Sequence, residues 1–380
     1  MILVEGGEVY APERLGVASV LLFGGTIARV GAVDGRGAAA LGLELEVIDA
    51  RGKLVIPGLV DSHEHLLGGS GERGFASQTP ELALGEIATA GITTVVGCLG
   101  VDTTTKTMTG LLAKARAFRE EGITAYLYSG GYDVPPVTLT GSVRNDMLLV
   151  EEVIGSGEVA ISDKRSTQPS VAELARLASD AYVGGILTGK AGVLHVHVGD
   201  GPRRLEPLRR LLAEHDVDPA VVYPTHVERN EALMREAVEI TRAGVTVDVD
   251  TVERDLAKWL RFFLDEGGVP ANLTASSDAS IPSPGTLTDQ IRGLVREHGF
   301  SLESVLPLVT VNPARVLKLA KKGRIRAGAD ADLVVLDRES LRVVEVISSG
   351  RRLVKDGRLA VTEKFLEQSN RRVDLHGRAS

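Results

Sequence analysis

The chain has 380 residues, of which 43% are hydrophobic and 25% charged, enough to bury a large core in one large domain or in one large and one small domain. Its formal net charge of −8, with no basic run longer than Lys321-Lys322, argues against a nucleic-acid partner. The single cysteine, Cys98, argues against a disulfide framework. No apolar stretch approaches the ~20 residues of a membrane-spanning helix, and the N-terminus lacks the features of a signal peptide. We therefore expect a cytoplasmic protein with no membrane partner.

Short strand-like runs, separated by glycine-rich turns, occupy both ends of the chain. These runs are Ile2–Val4, Val17–Phe23, Thr26–Val30, Leu45–Ile48, Ala331–Leu336, Val343–Ile347 and Arg352–Val354. Because two β-rich ends flank a middle of different character, residues 1–56 and 321–380 are expected to form one small β-sandwich domain.

Residues 57–320 alternate apolar strands with helical stretches, one of which is Asp146–Ile154. The predicted strands are Pro57–His65, Thr93–Leu99, Thr124–Tyr128, Val159–Ser162, Val193–Val198, Val221–Pro224, Val245–Val249 and Leu273–Ser276. Repeated βα units over this length predict an α/β fold, a (β/α)8 TIM barrel. The alternative is a doubly wound open sheet, but no GxGxxG motif follows an early strand.

Residues able to bind a metal stand where predicted strands end, which in a barrel is the face that carries the active site. These residues are His63, His65, His197, His226 and Asp278. His63 and His65 point the same way, because side chains alternate along a strand. Imidazole nitrogen and carboxylate oxygen are ligands of zinc. His195 shares the parity of His197 but lies farther from the strand end, so it either supports the site or packs in the core.

The order of these residues resembles the amidohydrolase superfamily, which has HxH on the first strand, histidines on the fifth and sixth, and aspartate on the eighth. Several runs are similar to the isoaspartyl (β-aspartyl) dipeptidase family. They are GLVDSHEHLLGGSGE, TPELALGEIATAGITTVVGCLG, GGYDVPPVTLTGSVRND, AISDKRS, HVHVGD, PTHVERN and SSD, between about Pro57 and Asp278.

That resemblance implies a homo-oligomeric hydrolase that cleaves the amide bond of a small β-aspartyl dipeptide with metal-activated hydroxide. It implies two divalent metal ions, zinc by ligand preference. His63, His65 and Asp278 would hold one ion, and His197 and His226 the other. Asp278 would also be catalytic, moving the proton from the nucleophile to the leaving amine.

The resemblance also assigns residues around the substrate. Glu72 matches a glutamate that pairs with the substrate α-ammonium, and Tyr132 matches a catalytic tyrosine that hydrogen-bonds the tetrahedral intermediate. Arg165 and Arg229 match two arginines that hold substrate carboxylate. Arginine suits this role because its planar fork binds a carboxylate through two hydrogen bonds.

The chain departs from the family pattern at the residue that bridges the metals. The family has a lysine there, carboxylated to a carbamate, whereas this chain has Glu158, which also offers one negative charge and two oxygens. Lys164 is the competing candidate, but it lies beyond Asp163, past the predicted strand. Val101 and Pro282 stand where the family has threonine and serine, so the exact substrate is open.

Two alternatives to the dipeptidase remain on sequence grounds. One is a related hydrolase acting on an N-acyl amino acid or a cyclic amide, and the other is a scaffold that has lost its metals. The complete set of histidines and Asp278 argues against the scaffold. Glu72, Arg165 and Arg229 together favour a zwitterionic, carboxylate-bearing substrate over a neutral ring.

Overall fold

The structure is a computed structural model that describes residues 1–33, 37, 40, 42, 44–69 and 71–370. Its strands are β1 (Ile2–Tyr10), β2 (Arg14–Phe23), β3 (Thr26–Gly31), β4 (Glu46–Asp49), β5 (Leu54–Pro57), β6 (Leu59–Glu64), β7 (Ile92–Gly97), β8 (Thr124–Ser129), β9 (Val153–Ile161), β10 (Val193–Val198), β11 (Val222–Thr225), β12 (Val247–Asp250), β13 (Leu273–Ser276), β14 (Leu333–Leu336), β15 (Val343–Ser348), β16 (Arg351–Lys355) and β17 (Arg358–Leu359). Its α-helices are α1 (Leu84–Thr89), α2 (Met108–Glu121), α3 (Val143–Leu149), α4 (Val171–Thr188), α5 (Glu206–Glu214), α6 (Glu231–Arg242), α7 (Leu256–Asp265), α8 (Gly285–Arg296), α9 (Leu302–Val305) and α10 (Val311–Val316). In the described part of the chain, none of the helices has the length and apolar character that crossing a bilayer requires.

Strands from both ends of the chain share one sheet of nine strands, in the order β17-β16-β15-β14-β5-β1-β2-β3, with β4 also paired to β1. In its middle, β5 pairs antiparallel to β14 and parallel to β1. Because Leu54–Pro57 belongs to this sheet, the strand predicted at Pro57–His65 begins only at Leu59. The division of this sheet into the two layers of a sandwich stays a prediction, and the last ten residues of the predicted small domain lie outside the described residues.

The eight strands predicted for the middle of the chain all form and are all parallel. Strands β6 to β11 make a curled sheet in chain order, and β12 pairs with β13. The amide of His65 donates to the carbonyl of Ala279 at 2.9 Å, which joins the end of β6 to the segment after β13. A doubly wound sheet reverses its strand order part-way. The observed order has no reversal between β6 and β11, so that alternative is wrong.

The helix α4 shows how sequence sets the elements around this sheet. The Ser170 hydroxyl accepts a hydrogen bond from the backbone N–H of Glu173, and the Glu173 carboxylate accepts one from the backbone N–H of Ser170, so the helix begins with a capping box. It ends at Gly189, whose φ of 73° is a left-handed conformation that glycine adopts without strain. Leu174 and Leu177 lie on its buried face, toward the strands.

The ninth strand starts earlier than the sequence suggested. The predicted helix Asp146–Ile154 is wrong in its bounds, because the helix occupies Val143–Leu149 and β9 begins at Val153. Every residue of β9 is buried, so its backbone must pair with neighbouring strands. A Cβ at Gly157 would lie 2.5 Å from the carbonyl oxygen of His195, so glycine is needed for β9 to approach β10 there.

A buried lysine links the two sheets. Lys322 Nζ lies 2.6 Å from Asp332 Oδ2, 3.0 Å from Asp330 Oδ2 and 2.7 Å from the hydroxyl of Thr124 at the start of β8. Asp332 also accepts from the backbone N–H of Ser349 at 2.7 Å. Burial lowers the pKa of Lys322, but the two carboxylates outweigh it and raise the pKa above its usual value.

We expect Lys322→Met to lower the free energy of unfolding by ~3 kcal/mol, because it leaves two carboxylates without their cation in a buried site. Urea unfolding at neutral pH measures this loss. Since the pKa of Lys322 is raised on folding, its stabilisation is present at neutral pH and is lost only at strongly alkaline pH. Lys321→Met is the matched control, because Lys321 is exposed. Equal stability of the two variants would contradict this role.

Candidate metal centre

Six predicted side chains meet at the C-terminal face of the parallel strands: His63, His65, Glu158, His197, His226 and Asp278. The carboxylate of Glu158 lies at their centre. Its oxygens are 3.5 Å from His63 Nε2, 3.4 Å from His65 Nε2, 3.3 Å from His197 Nδ1 and 3.7 Å from His226 Nε2. Asp278 Oδ1 lies 3.4 Å from His63 Nε2 and 3.1 Å from His65 Nε2. Lys164, the alternative to Glu158, is exposed.

The backbone is strained where two of these residues leave their strands. His226, directly after β11, has a φ of 63°, and Asp278, two residues after β13, has a φ of 48°. Left-handed conformations cost non-glycine residues about 1–3 kcal/mol and concentrate at functional sites. The strain turns both side chains inward, toward Glu158 and His63.

The unsatisfied atoms of this cluster fit a divalent metal. His63 Nε2, both carboxylate oxygens of Glu158 and Asp278 Oδ1 are buried without a hydrogen-bond partner. Buried polar atoms are almost always paired, so this set needs an explanation. Donor atoms of Glu158, His197 and His226 lie within 4.8 Å of one another, as do those of His63, His226 and Asp278. Nitrogen and oxygen donors at this spacing suit zinc or a similar ion.

The tautomer of His63 follows from a chain of hydrogen bonds behind it. The carbonyl oxygen of Tyr223 can only accept, so His195 Nδ1, 3.0 Å away, carries the proton. Burial, and then the charge of His63, lower the pKa of His195, so its Nε2 is bare and accepts from His63 Nδ1 at 3.0 Å. His63 Nδ1 therefore carries a proton, and His63 Nε2 is the atom that faces the cluster and would give up its own proton to a metal.

The other three histidines are also held through their outer nitrogens. His226 Nδ1 lies 2.6 Å from Asp250 Oδ2, and His197 Nε2 lies 3.1 Å from Asp163 Oδ2. His65 Nδ1 has the softer partner Cys98 Sγ, 3.7 Å away. Such outer contacts fix ring orientation and leave the inner nitrogen for a metal.

The charges of the centre are coupled. Burial raises the pKa of Glu158, but the charge of His63 and the nearby imidazoles of His197 and His226 outweigh it and hold the pKa well below the usual value. Burial lowers the pKa of His226, yet Asp250 and Glu158 raise it to about 9. A proton on His226 at neutral pH would have to leave when a metal binds, so metal binding should release protons.

Of the three residues predicted to bind substrate, Arg165 and Glu72 pair with each other beside this centre. Arg165 donates from Nη1 to Glu72 Oε1 at 2.6 Å and from Nη2 to Asp163 Oδ2 at 2.7 Å. Its Nη2 also lies 3.2 Å from His197 Nε2. Arg229 stands apart, donating from Nε to the carbonyl of Val198 at 2.7 Å.

Tyr132 lies at the metal centre itself. Its hydroxyl is 2.8 Å from His197 Nδ1. Burial, followed by the charge of Glu158, raises the pKa of Tyr132 well above its ordinary value. The phenol therefore stays protonated at neutral pH and is able to donate a hydrogen bond.

Sequence reasoning missed the carboxylates that hold two of the histidines. Asp250 closes β12 in the run VDVD, and Asp163 follows β9. Both stand at strand ends, the same signal that found His226 and Asp278, but the strand boundaries drawn from the sequence stopped before Asp250. The sequence left open whether His195 supports the site or packs in the core. Its contact with His63 indicates that it supports the site.

Comparison with known proteins identifies the family. Residues 54–359 match the model of the amidohydrolase family. The chain belongs to this family. Its members are metal-dependent, in agreement with the donor set described above.

The most informative amidohydrolase structures are those of β-aspartyl dipeptidase from the thermophilic, keratin-degrading bacterium Fervidobacterium islandicum. One is 38% identical to this chain, with a TM-score of 0.90 over 95% of this chain and 99% of that chain. A complex of the dipeptidase with β-Asp-Leu is 37% identical, with a TM-score of 0.89 over the same shares. An adenine deaminase from Agrobacterium fabrum is 26% identical over 95% of this chain, which spans 58% of that protein's length.

We expect His195→Phe to weaken zinc binding by about 10- to 100-fold, because His63 Nδ1 loses the acceptor that fixes its tautomer. Phenylalanine keeps a ring in the buried position, so the fold should survive. Competition with a chromophoric chelator measures the affinity, and circular dichroism checks the fold. His215→Phe is the control, because His215 is exposed. Unchanged affinity in a folded His195→Phe protein would show that His195 only fills space.

Proposed function

We propose that this amidohydrolase is a β-aspartyl dipeptidase. The observation that carries the proposal is the pairing of Arg165 with Glu72 beside the cluster of histidines around Glu158. A guanidinium and a carboxylate side by side form a receptor for a zwitterion, which carries a carboxylate and an ammonium group. The similarity to the dipeptidase from Fervidobacterium islandicum supports the same substrate class.

In this proposal the centre holds two divalent metal ions, zinc by the nature of the donors. His63, His65 and Asp278 would hold one ion and His197 and His226 the other, with the carboxylate of Glu158 available to both. Bound metal lowers the pKa of water and polarises the scissile carbonyl.

The protein's own groups then move protons and charge. Burial raises the pKa of Asp278, but the adjacent imidazole of His65 and the charges of the histidines outweigh it and lower the pKa. Asp278 is therefore ionised at neutral pH, and it takes the proton of the attacking water and passes it to the leaving amine. The neutral phenol of Tyr132 donates a hydrogen bond to the oxygen on which negative charge develops.

Substrate orientation comes from the charged side chains around the centre. Glu72 receives the α-ammonium of the aspartyl residue and Arg165 its α-carboxylate, so the ion pair between them opens to admit the zwitterion. Asp163 keeps Arg165 in place through two further hydrogen bonds, from Nε at 3.0 Å and Nη2 at 2.7 Å. Arg229 holds the carboxylate of the leaving residue.

We also propose the domain division predicted from the sequence. Residues 57–320 would form the catalytic (β/α)8 barrel, closed where β13 meets β6, and residues 1–56 with 321–380 the small β-sandwich domain. The contact of His65 with Ala279 and the shared nine-stranded sheet support this division. The homo-oligomeric state and the cytoplasmic location stay predictions.

The proposal predicts metal-dependent hydrolysis of β-Asp-Leu. Protein stripped with a chelator should lose activity and regain it with zinc, because a bound metal supplies hydroxide at neutral pH and polarises the scissile carbonyl. Release of leucine, measured by chromatography, reports the reaction. An N-acetyl amino acid, a cyclic amide and adenine test the other reactions of the family. Turnover of one of these without turnover of β-Asp-Leu would contradict the proposal, as would full activity in metal-free protein.

A second prediction separates Glu158 from a carboxylated lysine. Glu158→Gln should lose bound metal, mostly from the position at His197 and His226, because an amide is neutral and bridges two cations poorly. Elemental analysis after dialysis gives the ratio of metal to protein. Wild-type activity should not depend on bicarbonate, since no carbamate has to form. Glu151→Gln, at an exposed position, is the control. A Glu158→Gln protein with a full complement of metal would overturn the assignment.

A further inference from the structure

A cavity of about 350 Å³ adjoins the metal centre on the side of Asp278. Asp278 and Arg229 form part of its wall, together with the indole of Trp259. The ion pair of Arg165 and Glu72, next to His197, is not part of this wall. The cavity therefore adjoins the reacting groups separately from the zwitterion receptor.

The wall of this cavity is acidic. Its carboxyl groups belong to Asp200, Glu228, Asp250, Glu253, Asp255 and Asp278, and its cationic groups to Arg229 and Lys258. Both cations already have partners: Arg229 donates to the carbonyl of Val198, and Lys258 Nζ lies 3.9 Å from the ring centroid of Trp259. Carboxyl groups therefore outnumber cationic groups six to two in this wall.

The environment of one of these carboxyl groups, Glu228, indicates that the cavity binds a ligand. Glu228 is only 8% exposed, and its Oε2 atom is buried without a hydrogen-bond partner. Its neighbours differ: Asp250 is paired with His226, and Asp255 accepts from the indole N–H of Trp259 at 2.7 Å. A buried carboxyl oxygen without a partner is costly, and a donor arriving in the cavity would remove that cost.

The wall also offers apolar contact. Trp259 is almost fully buried and presents its ring beside the acidic groups. A long side chain with a hydrocarbon stem and a charged head would place the stem against the indole and the head at Glu228. The arrangement suits a flexible cation better than a short polar group or a second anion.

We propose that this cavity is the subsite for the leaving amino acid and that Glu228 makes it select a cationic side chain, as in lysine. The proposal rests on the proposed β-aspartyl dipeptidase function and names the class of peptide that this chain prefers. Arg229 holds the α-carboxylate of the leaving residue, while its side chain extends along Trp259 to Glu228. A cationic side chain is favoured over a neutral one because it pairs with the buried carboxyl group of Glu228, whereas a neutral side chain leaves that group unpaired.

The test measures hydrolysis of three peptides by the zinc-loaded full chain: β-Asp-Lys, β-Asp-norleucine and β-Asp-Glu. The three share the β-aspartyl residue and differ only in the leaving residue. Norleucine keeps the unbranched hydrocarbon stem of lysine and lacks its ammonium group. We expect kcat/KM for β-Asp-Lys to exceed that for β-Asp-norleucine by about tenfold, and β-Asp-Glu to be the poorest substrate. Glu228→Gln should bring the ratio of lysine to norleucine peptide close to unity.

Glu231→Gln is the matched control, because it removes a carboxylate from the nearby helix α6, where Glu231 is exposed, and should keep the wild-type ratio. If Glu228→Gln does not fold or load metal, the wild-type ratio alone decides. Hydrolysis of all three peptides without preference for lysine would overturn this inference while leaving the dipeptidase proposal in place. The absence of hydrolysis of all three would overturn both.

Discussion

The burial of the Glu158 carboxylate is the constraint on which the centre of this molecule depends. The side chain is fully buried and neither of its oxygens has a hydrogen bond. A buried anion is tolerated only where opposite charge or a metal faces it. Four imidazoles from three other strands or strand ends meet that demand, and Gly157 lets the strand come close enough to deliver the carboxylate among them.

A second ring of contacts explains how the imidazoles keep their orientation. His63 contacts His195, His197 contacts Asp163, and His226 contacts Asp250. Each partner comes from a different part of the parallel strands. Backbone hydrogen bonds fix the strands in place, so partners carried by these strands hold the imidazole rings in fixed orientations.

The fold alone does not choose the substrate. An adenine deaminase is similar to this chain over 95% of its length, so similarity along the whole chain does not identify the reaction. Two groups of charges lie around the candidate metal ligands: the pair of Arg165 with Glu72, and the acidic cavity that Arg229 lines. Specificity in such a site is set by groups that a wrong ligand would leave unpaired.

The sequence by itself determined the strands and the face that carries the chemistry. The strands Val193–Val198 and Leu273–Ser276 were predicted with the bounds observed, because alternation and apolar runs are local properties of the chain. Tertiary structure alone decided that Leu54–Pro57 joins the terminal sheet, that His195 supports His63, and that Glu228 lies buried on a cavity wall. Those contacts join residues far apart in the chain, and a local sequence pattern does not indicate which distant segments come into contact.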